Sequence, residues 1–87
     1  MAKKSIPADK EDEELLRRFA ARVKALRKAQ GFPDYEDFAN ARGLNRSQYG
    51  RYERGVSDIR LTTLLKVIRG LGVTPAEFFS EGFDAPG

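Results

Sequence analysis

Apolar residues recur along this chain at helical spacing. Leu16, Phe19, Val23 and Leu26 follow one another at intervals of three, four and three, the repeat that lines up one face of an α-helix. Leu15 joins the stripe at one end. Glu11, Asp12, Glu13 and Glu14 precede it, where the positive end of a helix macrodipole favours acids. A first helix is therefore expected from Asp9 or Lys10 to Gln30, with Gly31 as its stop. Phe32-Pro33 makes a turn, and Asp34 is placed to cap a second helix, Tyr35 to Arg42, that buries Phe38 and Ala39. Further on, Leu61, Leu64, Leu65, Ile68 and Leu71 fit one apolar face. They predict a helix over Leu61–Leu71, with Gly70 near its end allowing close packing and Gly72 as its stop. Thr74-Pro75-Ala76-Glu77 then combines an N-cap threonine, a proline in the first helical position and a capping-box glutamate. It opens a short last helix whose Phe78 and Phe79 are expected to bury. Residues 1–8 read as a flexible arm and residues 81–87 as a tail anchored only by Phe83, which leaves 9–80 as the one folded domain. The extra length of the first helix leaves two roles for Leu15 and Leu16: covering the C-terminal aromatics, or a dimer contact.

Between these elements lies a stretch of another character, Gly43 to Gly55. Asn45 is a good N-cap and Gly55 a good left-handed stop, so residues 45–54 should form a short helix. At about 100° per residue, Tyr49, Tyr52 and Glu53 fall on one side. Arg46, Ser47, Gly50, Arg51 and Arg54 fall on the other, with Gln48 at the margin. Gly50 inside a helix costs about 0.5–1 kcal/mol relative to Ala. Its place on a basic face is read as clearance for something anionic that comes close. Tyr49 and Tyr52 are read as core between helices, because helical phase turns them away from that face.

With its flanks, this stretch resembles the XRE/Cro-repressor family of helix-turn-helix proteins. The pieces that match are Ala25-Leu26-Arg27-Lys28, Glu36-Asp37-Phe38-Ala39, Gly43-Leu44-Asn45, Tyr52-Glu53-Arg54-Gly55, Leu61 to Leu71 and Gly72-Val73-Thr74. The resemblance implies an all-α, compact five-helix lambda-repressor-like DNA-binding domain. Helices two and three form its helix-turn-helix, here with an extended helix one. It implies base contacts from Arg46, Ser47, Gln48, Gly50 and Arg51, the first residues of the third helix and those one turn on. It implies backbone contacts from Tyr35, Arg42, Asn45, Arg54 and Arg60, and a structural ion pair between Arg27 and Glu53. Arginine has the fork for guanine O6 and N7, and helix N-termini near Tyr35 and Asn45 can offer N–H groups to phosphates. The chain departs from the family where Tyr35 stands in place of the usual glutamine. A tyrosine hydroxyl can still donate to a phosphate, or the ring can serve to cap the core. For the arginines, nonspecific phosphate contact is the alternative to base reading.

Charge and composition agree with this picture. Sixteen Lys and Arg face thirteen Asp and Glu, a formal net charge of +3, but the distribution is uneven. Residues 9–14 hold five acids against Lys10, residues 40–69 hold seven bases against Glu53 and Asp58, and residues 70–87 hold three acids and no base. Positive charge gathered around one helix is an electrostatic footprint for nucleic acid. There is no cysteine and no histidine, so no disulfide frame, no thiolate metal site and no imidazole base. Neither a cofactor nor enzymatic activity is expected. No apolar run reaches the length of a membrane span, and the start has no apolar segment behind its lysines, so a cytoplasmic, nucleoid-associated bacterial protein is expected. The leading expectation is a sequence-specific regulator of transcription, a repressor, binding double-stranded DNA as a homodimer. The alternative is an antitoxin-like or adaptor module that captures a protein partner through the N-terminal helix extension or the C-terminal tail.

Overall fold

The computed structural model describes residues 9–84, with side chains from Lys10 onward; the expected arm at residues 1–8 and the last three residues lie outside them. Five helices follow in order: α1 (Asp9–Ala29), α2 (Tyr35–Ala41), α3 (Arg46–Arg54), α4 (Leu61–Gly70) and α5 (Pro75–Phe79). There is no strand among the described residues. The N-termini of α2, α3 and α5 are closed by side chains at their caps. Asp34 accepts from the Glu36 N–H at 2.8 Å, and Asn45 accepts from the Gln48 N–H at 2.9 Å. Thr74 and Glu77 exchange both bonds of a capping box, at 2.9 and 3.1 Å. Each cap satisfies donors that a helix cannot satisfy internally. α2 and α4 stop one residue short of their expected ends, with Arg42 and Leu71 as the caps.

The core forms where the helical stripes converge. α1 contributes Phe19, Ala20 and Val23, α2 Phe38 and Ala39, and α3 Tyr49 and Tyr52. Val67, Ile68 and Leu71 come from α4 and its cap, and Phe78 from α5. Val23, Phe38, Val67, Ile68 and Phe78 have no solvent exposure, and burying such a side chain contributes about 1.5–3 kcal/mol. The aromatics interlock: Phe19 meets Tyr52 edge-on at 6.5 Å and Phe78 at 5.6 Å, while Phe38 packs on Tyr49 at 5.3 Å. α3 passes close beneath α1. A Cβ at Gly55 would lie 3.2 Å from the Leu16 carbonyl oxygen, and Gly55 holds φ at +69°. Both facts require glycine there.

Two apolar residues lie elsewhere than their spacing suggested. Leu61, at the start of the α4 stripe, is 69% exposed, because the buried arc of α4 is centred on Val67, Ile68 and Leu71 in its last turns. Phe79 is 43% exposed. α5 is only one turn long and faces the body through Phe78, so Phe79 stacks on Phe83 instead, at 4.8 Å. The middle of α1 holds this C-terminal end. Arg22 donates to the carbonyls of Phe78 and Glu77 at 2.8 and 2.7 Å, and Arg18 donates to that of Asp84 at 2.6 Å. Leu15, half exposed, lines an open groove with Arg18 and Phe83.

Candidate nucleic-acid interface

α3 is oriented from within. Its inner side carries Tyr49, Tyr52 and Glu53, all buried. Glu53 is 6% exposed and Arg27, opposite it on α1, is 4% exposed. Arg27 Nε donates to Glu53 Oε2 at 2.7 Å, its Nη2 donates to Oε1 at 3.0 Å, and its Nη1 donates to the Phe32 carbonyl at 2.6 Å. The carboxylate raises the guanidinium further above its ordinary range. This two-pronged pair locks α3 to α1, and the charges tolerate burial because each has its partner. Tyr49 lies beside the pair, near enough to Glu53 to feel its charge, yet its hydroxyl has no hydrogen-bond partner of good geometry. Burial first, and Glu53 second, push its phenol well above the ordinary range.

With the inner side committed, Arg46, Ser47, Gln48, Arg51 and Arg54 stand exposed along the outer side. None of these arginines takes part in the four ion pairs of the described residues. Asn45, just ahead, spends its side-chain oxygen on the cap. Arg60 is exposed at the N-cap position of α4 and makes no capping bond there.

Gly50, Tyr35 and Arg42 are placed by contacts between helices. Gly50 is buried, and the space above it is filled: a Cβ there would lie 3.0 Å from Tyr35 Cε1 and 3.3 Å from Tyr35 Cζ. Its missing side chain makes room for the α2 tyrosine. Tyr35 itself is half-buried, its ring 6.4 Å from that of Tyr49. Arg42 is turned inward along the surface. Its Nε donates to the Gly70 carbonyl at 2.7 Å and its Nη2 to Gln30 Oε1 at 2.7 Å, and the guanidinium carbon lies 5.1 Å from the Phe32 ring centre. Gln30 completes the tie by donating to the Leu71 carbonyl at 2.7 Å. Gln30 was not singled out by the sequence; its role depends on a partner forty-one positions away, and no local signal announces it.

Two short helices joined by a tight turn, the second presenting a cationic outer face, define a helix-turn-helix DNA-binding domain. A helix-turn-helix family model matches residues 23–78, and the chain belongs to that family, in its XRE type. The control protein C.MunI of Mycoplasma sp is 38% identical over 64 residues, which is 74% of this chain and 86% of that protein. No solved structure matches the chain significantly. The protein is thus a DNA-binding transcriptional regulator of the XRE type, with duplex DNA as the ligand its family implies. Its family is one of regulators and not a known enzyme family. No described helix is long and apolar enough to cross a membrane.

Proposed function

We propose that the chain reads a specific duplex sequence in the major groove with α3 and acts as a homodimer on two half-sites. The observation that supports this is the exposure of Arg46, Ser47, Gln48 and Arg51 on the outer side of a helix whose inner side is pinned by Arg27–Glu53. Arg46 and Arg51 each present a fork suited to guanine O6 and N7, and Ser47 and Gln48 supply shorter polar contacts to bases. Arg54, Arg60, Tyr35 and the N–H groups behind Asn45 serve the backbone, adding affinity without reading sequence. A helix of nine residues offers few contacts alone, and two copies spaced by a helical turn are the usual remedy. A dimer seated on a promoter occludes it, so repression is the direct consequence of occupancy.

In vitro selection of bound duplexes, repeated with Arg46→Ala and Arg51→Ala, tests the reading. Each substitution should cost about 1–3 kcal/mol on the selected site and relax preference at one base position. Equal losses on every sequence would reassign both arginines to the phosphates.

A further inference from the structure

Segments from the two ends of the described chain build one trough. Along α1, Glu11, Leu15, Arg18 and Arg22 recur at intervals of four, three and four, which sets them on one face of the helix beside the core stripe. The tail is fixed against this face: Arg18 donates to the Asp84 carbonyl at 2.6 Å, and Arg22 to the Phe78 and Glu77 carbonyls at 2.8 and 2.7 Å. Between α1 and the tail runs an open groove of about 510 Å³, with Leu15 and Phe83 as its apolar lining. A smaller recess of about 280 Å³, lined by Ala21, Ala25 and Glu81, shares Arg18 with it and continues along α1. From Lys10 to Ala25 the two span about 22 Å of helix, the length of about four turns of a second helix.

The trough is apolar within and acidic at its rim. Leu15 is half exposed, and Phe79, stacked on Phe83 at 4.8 Å, extends the apolar surface beyond it. Exposed apolar surface rimmed by polar groups marks a contact site. Arg17 and Arg18 hold Glu14 at 2.8 and 3.0 Å, so these charges offset one another. Among the described residues, Glu11, Asp12 and Asp84 are exposed and join no ion pair. With Arg18 committed, Lys10 is the cation of the wall that opposes them. A second copy laid on the same face would set acids against acids, and a nucleic-acid backbone is repelled for the same reason. What complements the trough is a cationic helix with apolar residues along one side.

We propose that the trough between α1 and the tail docks an amphipathic basic helix of another protein. Its apolar side chains seat on Leu15 and Phe83, and its lysines or arginines face Glu11 and Asp12. No residue of the trough lies on α2 or α3, so this partner leaves the recognition helix uncovered. The inference goes beyond the DNA-reading proposal and stands or falls without it.

The test is fluorescence anisotropy of labelled synthetic peptides titrated with the full chain. The probe is an alanine-based helix of about four turns, with leucines three and four apart on one side and lysines elsewhere. One control scrambles the same composition and breaks the leucine stripe; the other keeps the stripe and carries glutamate in place of lysine. The probe should bind saturably, the scramble about tenfold more weakly, and the glutamate peptide not at all. Leu15→Ser should weaken probe binding about tenfold with its salt dependence kept, and should leave duplex binding and the melting temperature as in the wild type. Glu11→Gln with Asp12→Asn should weaken it about threefold to tenfold and flatten its salt dependence. Equal binding of probe and scramble reduces the effect to net charge and overturns the proposal, as does a Leu15→Ser chain that binds the probe like the wild type. Self-association of the free chain that Leu15→Ser abolishes assigns the trough to a second copy. Probe binding that appears only in Lys3→Glu with Lys4→Glu assigns it to residues 1–8. Either outcome overturns the foreign partner and leaves the DNA reading untouched.

Discussion

Glu53 and Tyr49 show at the residue scale how α3 is held and at what cost. Glu53 neutralises a guanidinium that is 4% exposed. Removing the carboxylate leaves that charge buried without a partner. Glu53→Ala should therefore destabilise the fold by about 3–5 kcal/mol, a large part of the margin of a small domain, measured by urea denaturation at neutral pH. Replacing both partners together, Arg27→Met with Glu53→Leu, should recover most of the loss. Tyr49 is the opposite case, a buried hydroxyl without a bond. Tyr49→Phe should stabilise by about 1 kcal/mol, because it removes an unpaired polar group and keeps the ring. The pH dependence follows from the raised phenol. Below the ordinary phenol range, near about pH 10, both states are protonated and the contribution is intact. Above it the unfolded chain ionises first, so stability falls as pH rises. Tyr52, also raised by burial, acts in the same direction. Alkaline denaturation of Tyr49→Phe should accordingly be shallower than that of the wild type without becoming flat.

Among the elements, the ends of α1, α2 and α4 are joined by one arginine. Arg42 bonds the Gly70 carbonyl and Gln30, and lies 5.1 and 5.4 Å from the ring centres of Phe32 and Phe38. A side chain committed in this way holds the helix-turn-helix against the rest of the body. Its role in the fold and its expected place at the DNA backbone are separable by measurement. Arg42→Ala should lower stability by about 2 kcal/mol, the sum of two hydrogen bonds and a cation–π contact. The salt slope of DNA binding should stay as in the wild type, whereas loss of a phosphate contact would reduce it by about 1. Thermal melting and anisotropy on the same preparation measure the two quantities.

For the molecule as a whole, charge segregation and the length of α1 matter most. The family match begins at Val23, inside α1, so the acidic first turns precede the shared domain. Arg18 and Arg22, ahead of the matched residues, close over the end of α5 and the tail. The long axis of the described chain reaches 46 Å. Bases are gathered on α3 and its flanks, and binding should weaken steeply with salt. If each protomer neutralises about four phosphates, a dimer should show a log–log slope of about −7. A slope near half that value on a two-half-site duplex would indicate that a single protomer binds.

Whatever depends on neighbours within a turn could be read from the residues alone. The stripe of α1, the caps at Asp34, Asn45 and Thr74, and the stop at Gly55 all appear where local spacing and cap chemistry put them. The two-sided character of α3 follows in the same way, since 3.6 residues per turn sort side chains without reference to the rest of the fold. Contacts between distant segments were decided only by packing. Gly50 lies on the basic side of a wheel but beneath Tyr35 in space; Arg42 is a surface cation by type and a tie between helices by position; Leu61 and Phe79 match apolar spacing but remain exposed. In each case the outcome was set by a side chain or a boundary of the core brought in from elsewhere in the chain, and periodicity along one helix contains no record of what another helix will place against it.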